Sequence, residues 1–301
     1  MSEPIKLTFE RDFSPAYGMA EGVSPLITRV VCRNPGPFTF KGTASFIIGK
    51  KQLAVVDPGP ENSEHLEALT RAIGGRTVTH IFITHTHLDH SPLARRLKSL
   101  TGAKTAGFGP HGTRAATGGI RLDAGGDEEF APDIALKDGD IIETPEWKIG
   151  AVFTPGHTSN HMAYALMEER ALFSGDHVMA WSTSVVTPPD GNMGDYLRSL
   201  ERLLPRQDDI YWPTHGPARR EPQGFVKALI AHRRMREAAI VARLKGGVQS
   251  VGELVAAIYP DVDIALKAAA AQTTLAHLEQ LIEQGRVVRE PGETTDSYRL
   301  S

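Results

Sequence analysis

Between His85 and His90 the chain reads His-Thr-His-Leu-Asp-His, so four of these six residues carry side chains that ligate metals: His85, His87, Asp89 and His90. Imidazole and carboxylate together suit zinc, iron or manganese. A plain polar surface patch explains such density poorly, because an apolar run delivers it and a helical pattern follows directly. Three later fragments each set one more ligand beside glycine or proline: Thr154-Pro155-Gly156-His157, Ser174-Gly175-Asp176-His177 and Pro213-Thr214-His215-Gly216-Pro217. Each alone reads as an ordinary turn. Together they complete a set of seven: His85, His87, Asp89, His90, His157, Asp176 and His215. A pair of divalent metal ions, zinc first and iron or manganese next, is the cofactor this set implies. Two such ions lower the pKa of a bridging water, and the resulting hydroxide attacks an ester, thioester, amide or phosphodiester. Asp89 is the catalytic candidate, able to ligate metal and to orient the nucleophile or accept its proton.

Elements must carry these residues to one place. The runs 44–49 and 52–56 read as a hairpin turning at Gly49-Lys50-Lys51, ended by Asp57-Pro58-Gly59-Pro60. Asn62 or Ser63 caps a helix with Leu66, Leu69 and Ile73 on one face, and Gly74-Gly75 stops it. Residues 78–83 form a short buried strand running into the histidine cluster. A second helix is expected from Ser91-Pro92, and 104–108 is another strand. Residues 110–133 show no period and read as an extended loop bordering the substrate. Strands are expected at 141–144, 147–153, 162–167, 171–173 and 209–212, with a helix at 196–204. The order fits a layered α/β arrangement.

After Pro222 the texture becomes mainly helical: a long helix over 225–244, a capping box at Ser250-Val251-Gly252-Glu253, and an amphipathic helix over 274–284. A small hairpin around Pro291-Gly292 closes the chain. Helices followed by such a hairpin suggest a winged-helix module. Two domains are therefore expected, a catalytic one over 1–221 and a winged-helix-like one over 222–301.

The ligand pattern resembles the metallo-β-lactamase superfamily, as do Asp57-Pro58-Gly59 and Gly156-His157, over about residues 25–217. That resemblance implies an α/β (α+β) fold, an αββα sandwich with the metals at one edge of two sheets. It implies His85, His87 and His157 on one metal, Asp89, His90 and His215 on the other, and Asp176 between them. Asp57 would buttress the ligands from behind, and His161 is a candidate for the same supporting shell. Residues 181–191 and the helical tail make the chain similar to the β-lactamase-like-protein-2 subgroup, whose members carry a C-terminal winged-helix domain. The exported antibiotic-degrading zinc enzymes often carry cysteine where this chain has Asp176. The resemblance thus points to the glyoxalase, thioesterase and nuclease side of the superfamily.

The formal charge of −3 and pI near 6.5 advertise no nucleic-acid or membrane partner. The first residues lack the basic-then-apolar order of a signal peptide, and no apolar run spans a bilayer, so a cytoplasmic protein is expected. The single cysteine, Cys32, lies in an apolar run and reads as a core thiol. Gly107 to Gly112 fits G-x-G-x-x-G but contains Pro110 and reads as a loop. His65, His80, His111, His232 and His277 read as surface or packing residues. Trp181, Tyr196 and Trp212 read as core or pocket wall. Arg219, Arg220, Arg233, Arg234 and Arg236 read as a solvated face, with an anion-holding or RNA-contacting edge as the sharper alternative. Residues 222–301 hold 10 Lys+Arg against 9 Asp+Glu, a poor match for DNA. The expected substrate is a small thioester or ester. A single-strand endoribonuclease is the alternative, with RNA as partner. A nucleic-acid-binding protein with a structural metal site is a third reading, disfavoured because structural sites seldom hold two metals. Oligomeric state is not legible.

Overall fold

A computed structural model describes residues 7–112, 125–292 and 295–301. Its first sheet takes seven strands in sequence order: β1 (Ala20–Gly22), β2 (Ile27–Val31), β3 (Ala44–Ile48), β4 (Gln52–Val56), β5 (Thr77–Phe82), β6 (Lys104–Gly107) and β7 (Ile134–Ala135). Pairing is antiparallel from β1 to β4 and parallel from β4 to β7. The parallel steps need crossover helices. Helix α1 (Ser63–Ile73) supplies the first and α2 (Ala94–Thr101) the second. Asn62 caps α1 by accepting from the His65 N–H, and Gly74 ends it in the left-handed region.

The second sheet is ordered β13-β12-β11-β10-β9-β8, with β8 (Ile141–Glu143), β9 (Lys148–Phe153), β10 (Met162–Leu166), β11 (Ala171–Gly175), β12 (Ile210–Pro213) and β13 (Arg219–Arg220). Side-chain alternation assigns the faces. On β3, Phe46 and Ile48 join the inter-sheet core with Tyr164, Phe173 and Trp212 of the facing sheet, while Ile47 packs with α1 and α2. On β4, Ala54 and Val56 point inward and Leu53 and Val55 outward. Helices α3 (Met193–Leu203) and α4 (Pro222–Leu244) cover the outer face of the second sheet through Tyr196, Leu200, Phe225 and Leu229. The result is the αββα sandwich expected from the sequence.

The tail comprises β14 (Gln249–Ser250), α5 (Val251–Ile258), α6 (Lys267–Glu283), β15 (Val287–Glu290) and β16 (Ser297–Leu300), with its strands ordered β14-β16-β15. Ser250 and Glu253 form the reciprocal capping box. Ile240 and Leu244 of α4 pack in a separate apolar cluster with Leu254, Leu278, Leu281 and Tyr298. Helix α4 therefore serves two cores, one at each end.

Several boundaries differ from expectation. The first sheet begins earlier than the 44–56 hairpin, with β1 and β2 added at its edge. Ser91-Pro92-Leu93 form a turn, and α2 starts only at Ala94. Helix α3 starts at Met193, because Asn192 caps it by accepting from the Asp195 N–H. Helix α6 starts at Lys267 rather than near Thr274. Of the loop expected over 110–133, residues 113–124 lie outside the described residues. Asp127, just beyond them, is buried and accepts from Ser91 Oγ at 2.8 Å and Arg95 Nη1 at 2.8 Å. The arginine run reads as a solvated face in the sequence, yet Arg233 is only 2% exposed, since α4 turns it toward the Ser184 carbonyl and the Tyr196 ring of α3. Among the described residues, no helix is long and apolar enough to cross a membrane.

Candidate metal centre

The ligand-bearing strands β5, β9, β11 and β12, with β4 leading to Asp57, deliver their C-terminal ends to one edge of the sandwich. Backbone bonds stitch the two sheets there: Ala44 N donates to Thr214 O at 2.8 Å, and Met162 N to Thr84 O at 2.7 Å. Two glycines are required by the close approach. A Cβ on Gly156 (φ +137°) would lie 2.3 Å from the backbone of Tyr196. One on Gly175 (φ +52°) would lie 2.5 Å from His161 Nε2.

All seven predicted ligands converge. His85 Nε2 lies 2.9 Å from His87 Nδ1, and His157 Nε2 lies 3.1 Å from the same atom. His215 Nε2 and His90 Nε2 lie 3.1 and 3.5 Å from Asp89 Oδ2. Asp176 sits between the two groups, its Oδ2 3.7 Å from His90 and 3.8 Å from His157, its Oδ1 3.5 Å from His215. Three overlapping sets of ligand atoms result: His85, His87 and His157; His85, His90 and Asp176; Asp89, His90 and His215. All are buried.

The outward nitrogens are tethered. His157 Nδ1 donates to Val185 O at 2.6 Å and His215 Nδ1 to Gly42 O at 3.2 Å. His90 Nδ1 donates to Asp57 Oδ2 at 2.9 Å. A carbonyl or carboxylate acceptor fixes the proton on Nδ1, so each Nε2 presents its lone pair inward. Asp57 is fully buried and also accepts from Thr84 N (2.8 Å), Thr84 Oγ1 (2.7 Å) and Thr214 Oγ1 (2.9 Å). It thereby ties the ends of β4, β5 and β12 together behind His90. His161 accepts from the Asp176 N–H at 3.2 Å through Nε2, and its Nδ1 lies 2.8 Å from Thr154 Oγ1. Both residues expected behind the ligands touch a ligand directly.

The residues fit a pair of cations. His90 Nε2, His215 Nε2, Asp89 Oδ1 and Asp176 Oδ1 are buried and have no hydrogen-bond partner in the protein. Buried polar atoms are normally satisfied, so this cluster marks an absent partner rather than a packing choice. The electrostatics agree. Burial would push His90 and His215 down, but Asp89, Asp176 and, for His90, Asp57 outweigh it; His90 rises well above the usual imidazole value and His215 to about 10. Burial would raise Asp89 and Asp176, but the neighbouring imidazoles hold both well below the carboxylate range. Burial first, then His90, His87 and His157, hold His85 well below its usual value, as a ligand in its neutral form requires.

Sequence reasoning missed several supporting groups. Thr84 and Thr214 have no motif beyond adjacency to ligands. The carbonyls of Gly42 and Val185 carry no side-chain signal at all. Asn160 donates to Thr86 Oγ1 at 2.8 Å and steadies the loop from outside. Cys32 is a core thiol as expected, its pKa pushed up to about 12 by burial and then by Glu64.

One cavity of about 260 Å³ opens onto this centre. His87, Asp89, His157 and Asp176 line it together with Trp181 and Val185. Tyr259, Val262 and residues of α6 line it as well. The tail therefore helps enclose the space above the ligands.

Comparison with known proteins agrees with this architecture. The chain is 27% identical over 241 residues to an atrochrysone carboxyl ACP thioesterase of Claviceps purpurea (strain 20.1), covering 79% of this chain and 71% of that one. It is 28% identical over 277 residues to a beta-lactamase-like protein 2 homolog of Caenorhabditis elegans, covering 90% and 88%. The solved structure of a beta-lactamase domain protein from Burkholderia ambifaria superposes with a TM-score of 0.80 at 23% identity, over 96% of both chains. A metallo-beta-lactamase family protein from Thermus thermophilus superposes with a TM-score of 0.73 at 24% identity, over 93% of this chain and 100% of that one. Residues 250–295 match the beta-lactamase associated winged helix domain. With residues 38–215 matching the family model itself, the sheet edge described above is a dinuclear-type ligand set in its familiar setting, and the chain belongs to the metallo-beta-lactamase superfamily.

Proposed function

We propose that this protein is a metal-dependent hydrolase acting on a small thioester or ester. The observation that carries the reading is the convergence of seven buried ligands, with inward atoms of Asp89, His90, Asp176 and His215 left without a hydrogen-bond partner, beside a partly apolar cavity. The thioesterase name of the Claviceps purpurea relative supports the substrate class. His85, His87 and His157 would hold one divalent ion, Asp89, His90 and His215 the other, and Asp176 would reach both. Zinc is the first choice for this donor set, with iron and manganese next. Such ions lower the pKa of a coordinated water and polarise an acyl oxygen.

The chain's own residues do the rest. Asp89 has one oxygen near His215 and His90 and a second, Oδ1, without a hydrogen-bond partner. That free oxygen can accept a hydrogen bond from the attacking water and take its proton. The cavity walls hold the acyl group and exclude competing solvent from it. The water oxygen bonds to the acyl carbon, the acyl–sulfur bond breaks, and the sulfur leaves as a thiol carrying the proton that Asp89 took. Asp57 and the carbonyls of Val185 and Gly42 keep the imidazoles from turning.

An RNA substrate has less support. The tail arginines Arg286, Arg289 and Arg299 are each engaged by Glu237, Asp296 and Glu290. Arginines already paired offer little to a phosphate backbone. The domain division at 221/222 is part of the proposal: α4 would begin the second unit although its first turns pack on the first.

The test is a screen of metal-loaded protein against thioester, ester, lactone, phosphodiester and RNA substrates, beside His87→Ala and Asp176→Ala. Thioester turnover lost in both folded variants is the expected result. Full activity in either variant, or RNA cleavage without thioester turnover, would overturn the reading.

A further inference from the structure

The cavity that opens onto the ligands also contains a buried cation with no counter-charge. Arg233, on α4, is 2% exposed and lines that cavity. Its Nη2 donates to the Ser184 carbonyl, and its guanidinium lies 5.2 Å from the ring centroid of Tyr196. Its Nε–H is buried and has no acceptor. No carboxylate pairs with it among the described residues. The groups around it are neutral instead. His277 is held down to about 3 by burial, then by Arg233, His232 and Arg236. His232, also on the cavity wall, is held down to about 4 by burial, then by Arg233 and Arg236.

Ser184 Oγ, Thr187 Oγ1 and Trp181 Nε1 all belong to cavity-lining residues, and each is buried without a hydrogen-bond partner. A desolvated guanidinium with a free N–H of its own and three unsatisfied donors on residues lining the same cavity are the parts of a charge-assisted anion receptor. A buried charge left uncompensated is costly, and a fold keeps one where something else supplies the partner. The run of arginines in the sequence suggested an anion-holding edge. The structure moves that role from the surface to the single buried member.

We propose that Arg233, with Ser184, Thr187 and Trp181, binds a carboxylate carried by the acyl part of the substrate, remote from the bond that is cleaved. The same cavity is lined by ligands of the metal centre, so one molecule can reach both. This rests on the hydrolase reading for what is turned over, while the anion site stands on its own geometry. The substrate class becomes a dicarboxylic half-thioester rather than a neutral fatty thioester. Arginine suits this task, because its planar fork matches a carboxylate as lysine's point charge does not.

The experiment uses zinc-loaded full-length protein and N-acetylcysteamine half-thioesters of dicarboxylic acids of increasing chain length, each beside its methyl ester. The readout is the ratio of kcat/KM for acid over ester. At the best length the wild type is expected to favour the acid by about tenfold or more, the value of one charge-assisted contact. Arg233→Met is expected to bring the ratio near unity, and Arg233→Lys to keep part of it. A residue that merely props up the fold would lower both rates and leave the ratio alone. Wild type showing no preference at any length, or Arg233→Met keeping the full preference, overturns the proposal. Circular dichroism and zinc content establish that each variant is folded. Should no thioester be hydrolysed, the function proposed above fails by itself. The anion site is then judged by calorimetric titration with adipate. Binding weakened about tenfold or more in Arg233→Lys or Arg233→Met supports it, and absent or unchanged binding overturns it.

Discussion

Asp57 shows how a single side chain organises chemistry it does not perform. Its two oxygens accept from Thr84, Thr214 and His90, so three strand ends and one ligand answer to one carboxylate. Asp57→Asn keeps the shape but gives up the charge opposite His90. It is expected to lower metal affinity about 10–100-fold, read by competition with a chromogenic chelator. Unchanged affinity would remove Asp57 from its supporting role. The buried neutral histidines set a pH limit. Burial holds His65 down to about 4, and His277 sits near 3, whereas both titrate near 6.5 when unfolded. Above that value neither state carries the proton. As pH falls below it, the unfolded chain takes up protons the folded chain refuses, so stability declines by about 1.4 kcal/mol per pH unit for each such histidine. His90 and His215 act in the opposite sense only above this window in the metal-free chain. Urea midpoints of metal-free protein are expected to fall between pH 6.5 and 5, less steeply in His65→Gln. A flat profile over that range would contradict the burial argument.

At the scale of elements, the capping box of α5 gives a clean perturbation. Ser250→Ala removes the acceptor for the Glu253 N–H and is expected to cost about 1 kcal/mol. Because Tyr259 and Val262 follow α5 directly and line the cavity, KM should rise while kcat stays near its original value. Hydrogen exchange confined to the tail would accompany it, and a fall in kcat with KM unchanged would contradict it. The elements were legible where pattern and punctuation agreed: α1 between Asn62 and Gly74, the 44–56 hairpin, α5 behind Ser250. They were illegible where tertiary context decides. The strand β1 is exposed throughout, and β2 interrupts its apolar residues with Thr28 and Arg29, so neither shows a period. The ligands declared themselves by type and spacing. Their supports did not, because a carbonyl such as that of Val185 leaves no trace in residue type. Arg233 was hidden among surface arginines, since only the packing of α4 against Ser184 and Tyr196 separates it from Arg234.

For the whole molecule, the metal centre is also a fastening between two sheets. His85, His87, Asp89 and His90 follow β5 in the first sheet, whereas His157, Asp176 and His215 follow strands of the second. Cations that bind only the assembled edge stabilise it by mass action, about 2.7 kcal/mol per site at a hundredfold excess over Kd. Addition of zinc to metal-free protein is therefore expected to raise the unfolding midpoint, and His87→Ala to blunt the rise. An unfolding midpoint indifferent to metal would show that the edge closes without it.

Ser184 and Val185 are consecutive, and their carbonyls are committed in different directions, one to Arg233 of α4 and the other to His157. A surface loop usually absorbs an extra residue at small entropic cost. This stretch has no such slack. One residue inserted between the two would let the chain satisfy either the helix or the imidazole, not both. Changes in loop length that leave other turns untouched would here uncouple the tail's helix from the metal's own ligand.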